Sequence, residues 1–316
     1  MPNKTVVMTM LGAEAVGKTT LLATMYQALG NICDNRQKGF ALEAFPNAGR
    51  DLQDALDNLA AIINQPAFID VKRLLPGTAG VLERRFQVLF KNGPFSDLSF
   101  YDMAGGIVMA EEEDQEFKAF KNILSQAAVI VNVIDGAALM EGSEPYNIKT
   151  NKATRITELL RPALANSPQP RLVLFVLTKC ESWLKDENSE KQLLAAFEKR
   201  HGAVLNLLRG HENAVGVFLP VKTLGCVDFA RVEEKGKLEE KCIFTRNPRL
   251  QFSPQRIDQP LSYALTFVLL QHYQSFSWWQ KIWRGKVFRE ALAHLDNKCD
   301  KQFKTYGNFT LLEVPQ

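Results

Sequence analysis

The chain has 316 residues, 46% of them hydrophobic and 23% charged, with a formal net charge of +3. That composition suits a folded domain with a sizeable core, and the near-balanced charge gives no electrostatic case for nucleic acid or a strongly anionic surface. No apolar run reaches the roughly 18 residues of a membrane span, and the apolar N-terminal stretch is broken by glycine, unlike a signal peptide. In chain order, residues 5–11 are β-rich and stop at Gly12, which predicts a buried strand. Residues 19–29 predict a helix with Leu21, Leu22, Met25 and Leu29 on one face and Gly30 as its stop. A second helix is expected over 51–64, and two strands over 85–90 and 97–101 around a turn at Asn92-Gly93-Pro94. A helix follows over 111–126, with Phe117, Phe120 and Leu124 on one face. Next come a strand over 127–134 ending at Asp135, a short helix over 155–161 ended near Pro162, and an apolar strand over 171–177. A long helix over 191–208, a strand over 215–219 and a closing helix over 261–273 complete the series. Strand and helix alternate around one adjacent strand pair, which argues for an α/β fold whose mostly parallel sheet is covered on both faces. The charged, weakly periodic stretch 227–260 interrupts the rhythm and reads as an insertion.

Five cysteines, Cys33, Cys180, Cys226, Cys242 and Cys299, lie far apart without a CxxC pair. This spacing argues against a zinc cluster or disulfide framework, and a reducing cytoplasm is the expected compartment.

The strongest motif is Gly12-Ala13-Glu14-Ala15-Val16-Gly17-Lys18-Thr19, a GxxxxGK[ST] loop set between the first strand and the first helix, with Thr20 directly after it. Glycines let the backbone curl so that its N–H groups face phosphate oxygens, and the helix that follows adds its N-terminal dipole. Lys18 supplies a point charge to the β- and γ-phosphates, and the Thr19 hydroxyl is a magnesium ligand. Asp102-Met103-Ala104-Gly105 closes the strand at 97–101. Its carboxylate can hold Mg²⁺, usually through water, and Gly105 lets a backbone N–H approach the γ-phosphate. Thr78, in the loop Pro76-Gly77-Thr78-Ala79-Gly80, is the candidate to complete the metal site and sense the γ-phosphate.

Thr178-Lys179-Cys180-Glu181 follows the strand over 171–177, and with it the order of pieces resembles the Ras-like small GTPases. The resemblance covers roughly residues 4–225 and the helix near 261–273. It implies a three-layer P-loop fold: a mostly parallel six-stranded sheet with one antiparallel pair and helices on both faces. It also implies GTP/GDP and Mg²⁺ as ligands, with Lys18, Thr78 and Gly105 as the catalytic elements and Thr19, Thr78 and Asp102 around the metal. The domain would occupy 1–273, with insertions at about 31–77 and 227–260, and a helical extension over 274–316. In the family's [NT]KxD motif the lysine packs along the base and the aspartate reads guanine; here Thr178 and Lys179 fit, while Glu181 stands in for the aspartate. An ionised glutamate still offers two acceptor oxygens. Lys222 and Thr223 occupy the place of the family's last base-binding loop, with backbone contacts to the base expected there.

A second departure concerns hydrolysis. Many Ras-like enzymes carry a water-orienting glutamine directly after DxxG, where this chain has Gly106. Three sources remain open: the acidic run Glu111, Glu112, Glu113 and Asp114, a partner acting in trans, or very slow turnover in a binding switch. A protein effector or second GTPase is expected by family analogy, and no nucleic acid. Trp278, Trp279, Ile282 and Trp283 form a stripe interleaved with Lys281, Arg284, Lys286 and Arg289. Membrane association through 278–289 is one reading of it; a packed helix or a protein partner is preferred. ATP as the ligand, or a non-hydrolysing scaffold, are the alternatives.

Overall fold

The computed structural model describes residues 5–33, 40–63, 68–69, 80–90, 93–165, 167–235 and 239–314. Its first half runs β1 (Val6–Leu11), α1 (Lys18–Cys33), β2 (Phe40–Ala44), α2 (Pro46–Ile63), β3 (Phe68–Ile69), β4 (Val81–Phe90) and β5 (Gly93–Met103). After a 3₁₀ turn at Gly105–Met109 come α3 (Gln115–Gln126), β6 (Val129–Asp135), α4 (Gly136–Glu141), α5 (Glu144–Asn151), α6 (Ala153–Ala165), β7 (Arg171–Thr178) and α7 (Glu187–Arg209). The chain then forms β8 (Ala214–Pro220), β9 (Val227–Lys235), β10 (Glu239–Arg246), α8 (Gln259–Gln274), α9 (Trp278–Asp296) and β11 (Thr305–Gly307).

The six strands β8-β7-β6-β1-β5-β4 form the expected sheet, parallel except where β4 runs against β5. One strand extends each edge, β2 antiparallel to β4 and β11 antiparallel to β8, to make eight. Burial on both faces explains the continuous apolar runs. Along β6, Val129, Val131 and Val133 enter one core cluster with α1, α8 and α9, while Ile130 and Ile134 enter the other with α3, α6 and α7. A strand sends alternate residues to opposite faces, so both sets must be apolar. Each such side chain contributes about 1.5–3 kcal/mol when fully buried.

Several elements depart from expectation. The antiparallel pair β9–β10 and β3 make a separate three-stranded sheet. Val227, Cys242, Ile243 and Phe244 are buried, and the pairing shifts register between Ile243 and Phe244, which breaks the simple alternation that the sequence would show. α1 continues past Gly30 to Cys33. α6 runs through Pro162 because Leu159, Leu160, Ala163 and Leu164 carry its buried stripe across the proline. α3 starts later than expected, at Gln115, because Asp114 accepts from Phe117 N at 3.0 Å and caps it. The acidic run therefore precedes the helix, with Asp114 as its cap.

The second half of α9 packs on the core through Phe288, Ala291, Leu292 and Leu295, while Trp278 and Trp279 at its start are each 65% exposed. Cys180, Cys226, Cys242 and Cys299 are buried free thiols. No helix among the described residues is long and apolar enough to cross a membrane.

Candidate functional site

Parallel pairing aligns the carboxyl ends of the central strands. Thr9 sits opposite Tyr101, Leu11 opposite Asn132, and Asp135 opposite Thr178. Gly12, Asp102, Asp135 and Thr178 therefore emerge along one edge, where open α/β sheets bind their ligands. Residues 12–17 make the turn from β1 into α1. Gly17 holds φ at +97°, and a Cβ there would meet Thr178 Oγ1 at 3.3 Å. Side-chain residues rarely adopt that backbone, so the turn and the close approach both call for glycine.

The Lys18 ammonium folds back over the loop and donates to the Gly12 and Ala13 carbonyls, each at 2.8 Å. Burial lowers its pKa to about 8, against the opposing pull of Asp102 and Glu14. On the other side of the loop, Thr178 Oγ1 donates to Val16 O at 2.5 Å, and Lys179 Nζ donates to Ala15 O at 2.8 Å. Ala15 and Lys179 both sit at positive φ, +61° and +56°. Two left-handed non-glycine residues cost roughly 1–3 kcal/mol each and persist where the surroundings over-determine them. Their mutual hydrogen bond is part of that constraint.

Asp102, one residue before the end of β5, is fully buried and close enough to act on the Lys18 charge. Gly105 packs backbone against backbone on the phosphate loop: a Cβ there would overlap the Glu14 backbone and lie 2.6 Å from the Ala13 carbonyl carbon. Gly106 faces open space, with nothing within 4 Å of a Cβ. The turn between them and α3 is clamped by Arg155 of α6, whose guanidinium donates to Val108 O at 3.0 Å and Ala110 O at 3.3 Å. Ala104 N also donates to Gly80 O at 2.8 Å, which ties the start of β4 to this segment. Gly105→Ala is expected to weaken mant-GDP and GTPγS binding alike, at least about tenfold each by fluorescence competition, because the added Cβ displaces the phosphate loop that both nucleotides use.

The far end of the site is a pocket lined by Gly17, Thr20, Lys179, Glu181 and Thr223, closed by Val227 and Phe244 from the β9–β10 pair. Glu181 Oε1 accepts from Leu224 N at 2.9 Å and Thr223 Oγ1 at 3.3 Å. Its Oε2 is buried with no hydrogen-bond partner among the described residues. Burial pushes the Glu181 carboxyl pKa up, and the loop donors pull it back.

A family model described as Double-GTPase 2 matches residues 6–215, more than half of the chain. The chain belongs to the Double-GTPase 2 family. It is thus a P-loop GTPase of the Ras-like kind. Among solved structures, the S. cerevisiae Ski7 GTPase-like domain bound to GTP is 17% identical with a TM-score of 0.39, covering 70% of this chain and 43% of that one. The same domain bound to GDP and inorganic phosphate is 16% identical at a TM-score of 0.43. The signal recognition particle receptor SRb-GTP/SRX complex from Chaetomium thermophilum is 12% identical at a TM-score of 0.39, covering 71% of this chain and 93% of that one. The chain spans less than half the length of the Ski7 chains. No curated protein matches significantly.

Within this Double-GTPase 2 domain, Gly12 to Thr20, Asp102, Gly105, Thr178, Lys179, Glu181 and Thr223 gather along one edge of the sheet. Thr78 lies outside the described residues. Both backbone groups of Lys222 bond Gln255, at 3.1 and 2.9 Å.

Two site residues went unrecognised in the sequence. Asp135, read there as a strand-end polar residue, caps α4 through Ala138 N at 2.9 Å and pairs with the Lys179 ammonium. Asn151 fixes it by accepting from Asp135 N at 2.8 Å. Arg84 forms a buried ion pair with Asp102, Nη1 to Oδ2 at 3.3 Å. Its signal was in the alternation of β4, since Arg84 shares the inward parity of Phe86 and Val88.

Proposed function

We propose that this chain is a Mg²⁺-dependent guanine-nucleotide switch with slow or partner-assisted hydrolysis. The observation that carries the reading is the seating of Gly105 directly on the phosphate loop with Gly106 facing open space beside it. A backbone so placed is suited to respond to a third phosphate at the loop. The neighbouring glycine brings no side chain to orient an attacking water. Together these features support a nucleotide-sensitive switch with slow intrinsic turnover.

Thr19 and Asp102 suit magnesium: a hydroxyl and a fully buried carboxylate are hard oxygen donors at the phosphate loop, and Mg²⁺ is commonly held by one or two carboxylates plus phosphates and waters. When bound, the ion neutralises charge on the β- and γ-phosphates. Lys18 adds a second positive charge there, and the loop amides orient the phosphates. Glu181 supports guanine. With Oε1 held by the loop, Oε2 of the ionised carboxylate is an acceptor suited to the N–H donors on guanine's Watson–Crick edge, where adenine presents a ring acceptor.

A protein effector or second GTPase, acting in the cytoplasm, would read the Gly105 segment, and an activating group in trans would supply what Gly106 lacks. Membrane binding through α9 is not favoured, since its second half is packed on the core. The test is single-turnover phosphate release from GTP. Wild type is expected to turn over slowly, and Gly106→Gln, whose side chain meets no neighbour, to raise the rate about tenfold or more. Fast turnover by wild type alone, unchanged in the variant, overturns the proposal.

A further inference from the structure

Resting on the reading that Asp102 holds magnesium, we propose that Arg84 sets the magnesium affinity of the site by competing with Mg²⁺ for the Asp102 carboxylate. The two side chains lie on the same face of adjacent antiparallel strands, Arg84 opposite Phe100 and Asp102 two residues on. Their side chains are 7% and 0% exposed, and Nη1 stands 3.3 Å from Oδ2. Arg84 Nε is buried with no hydrogen-bond partner among the described residues, so this guanidinium is not held there by a satisfied network of its own. Asp102 is its ion-pair partner at that spot.

Lys18 already places a second cation within electrostatic reach of the same carboxylate. A divalent ion added there meets two fixed positive charges in a water-poor site, where repulsion is far stronger than in bulk water. The carboxylate must then loosen its bond to Arg84 or hold the metal less firmly. Arg84 belongs to β4, and Gly80, just before that strand, accepts from Ala104 N beside Gly105. Metal occupancy and the γ-phosphate segment therefore share one strand. The guanidinium acts through Asp102 and is a positioning residue.

The experiment follows mant-GDP release from the full-length chain across a buffered Mg²⁺ titration. The readout is the Mg²⁺ concentration that half-saturates the slowing of release. Arg84→Met is expected to lower that midpoint about tenfold. Arg84→Gln, which can still donate to Asp102 but carries no charge, moves it in the same direction and covers the case in which the methionine variant does not fold. Arg84→Lys retains the charge and is expected to stay within about threefold of wild type. Midpoints unchanged or raised in the uncharged variants overturn the proposal. Asp102→Asn separates the two layers of the argument: a much higher midpoint supports magnesium at Asp102, and an unchanged one overturns that reading together with the competition built on it.

Discussion

Lys18→Ala is expected to raise the mant-GDP dissociation constant at least about 100-fold, equivalent to about 2.7 kcal/mol. The ammonium is the cation enclosed by the phosphate loop itself, held over it by the Gly12 and Ala13 carbonyls. Phosphate oxygens bring charge where those carbonyls bring only dipoles, and a charge-assisted contact in a buried site is the stronger. The same substitution should leave the fold intact. Burial depresses the Lys18 pKa, which means the folded protein carries this charge at a cost at neutral pH. Removing it relieves that cost, so the melting temperature of the variant without nucleotide should match or exceed that of wild type. Lost binding accompanied by a collapsed melting transition would contradict this account of Lys18.

Glu181→Ala is expected to erase most of the preference for guanine over adenine, lowering the ratio of mant-ADP to mant-GDP dissociation constants about 100-fold or more. A site built to pair a base's N–H groups rejects a base lacking them because buried polar atoms are left unpaired. The alanine removes that acceptor. It also orphans the Leu224 N–H, a loss of about 1–3 kcal/mol in stability. Glu181→Gln keeps a carbonyl oxygen for Leu224 and presents an amide to the base, so its stability should stay near wild type while its guanine preference falls. If both variants retained full guanine preference, base reading would lie elsewhere in the pocket, with the Phe244 and Val227 wall the next place to look.

The architecture was legible wherever a local rule governed it. GxxxxGK[ST] between an apolar strand and a helix is a complete local statement, and the six central strands follow from apolar runs buried on both faces. The elements that were missed depend on contacts distant in sequence. β11 exists because Thr305 to Gly307 finds the free edge of β8, and nothing in those three residues announces a strand. The β9–β10 pair looked irregular because a register shift between Ile243 and Phe244 breaks its alternation, yet Phe244 from it closes the nucleotide-side pocket. α6 runs through Pro162 because the packing of its buried stripe outweighs the local cost of a proline.

Charged residues were the hardest to read. Asp135 resembles any polar strand end until Lys179 arrives from β7 to pair with it. Arg84 looks like one of several charges in β4 until its parity is counted and Asp102 is found across the strand pair. Lys222, whose position after β8 suggests a role at the base, has its backbone in a bridge to Gln255 that no local pattern announces.

The most direct test of the central claim is a side-by-side titration of the purified chain with mant-GDP and mant-ADP in the presence of Mg²⁺. The site built on Lys18, Lys179 and Glu181 should bind the guanine nucleotide at least about 100-fold more tightly. Equal affinity, or preference for the adenine nucleotide, would contradict it.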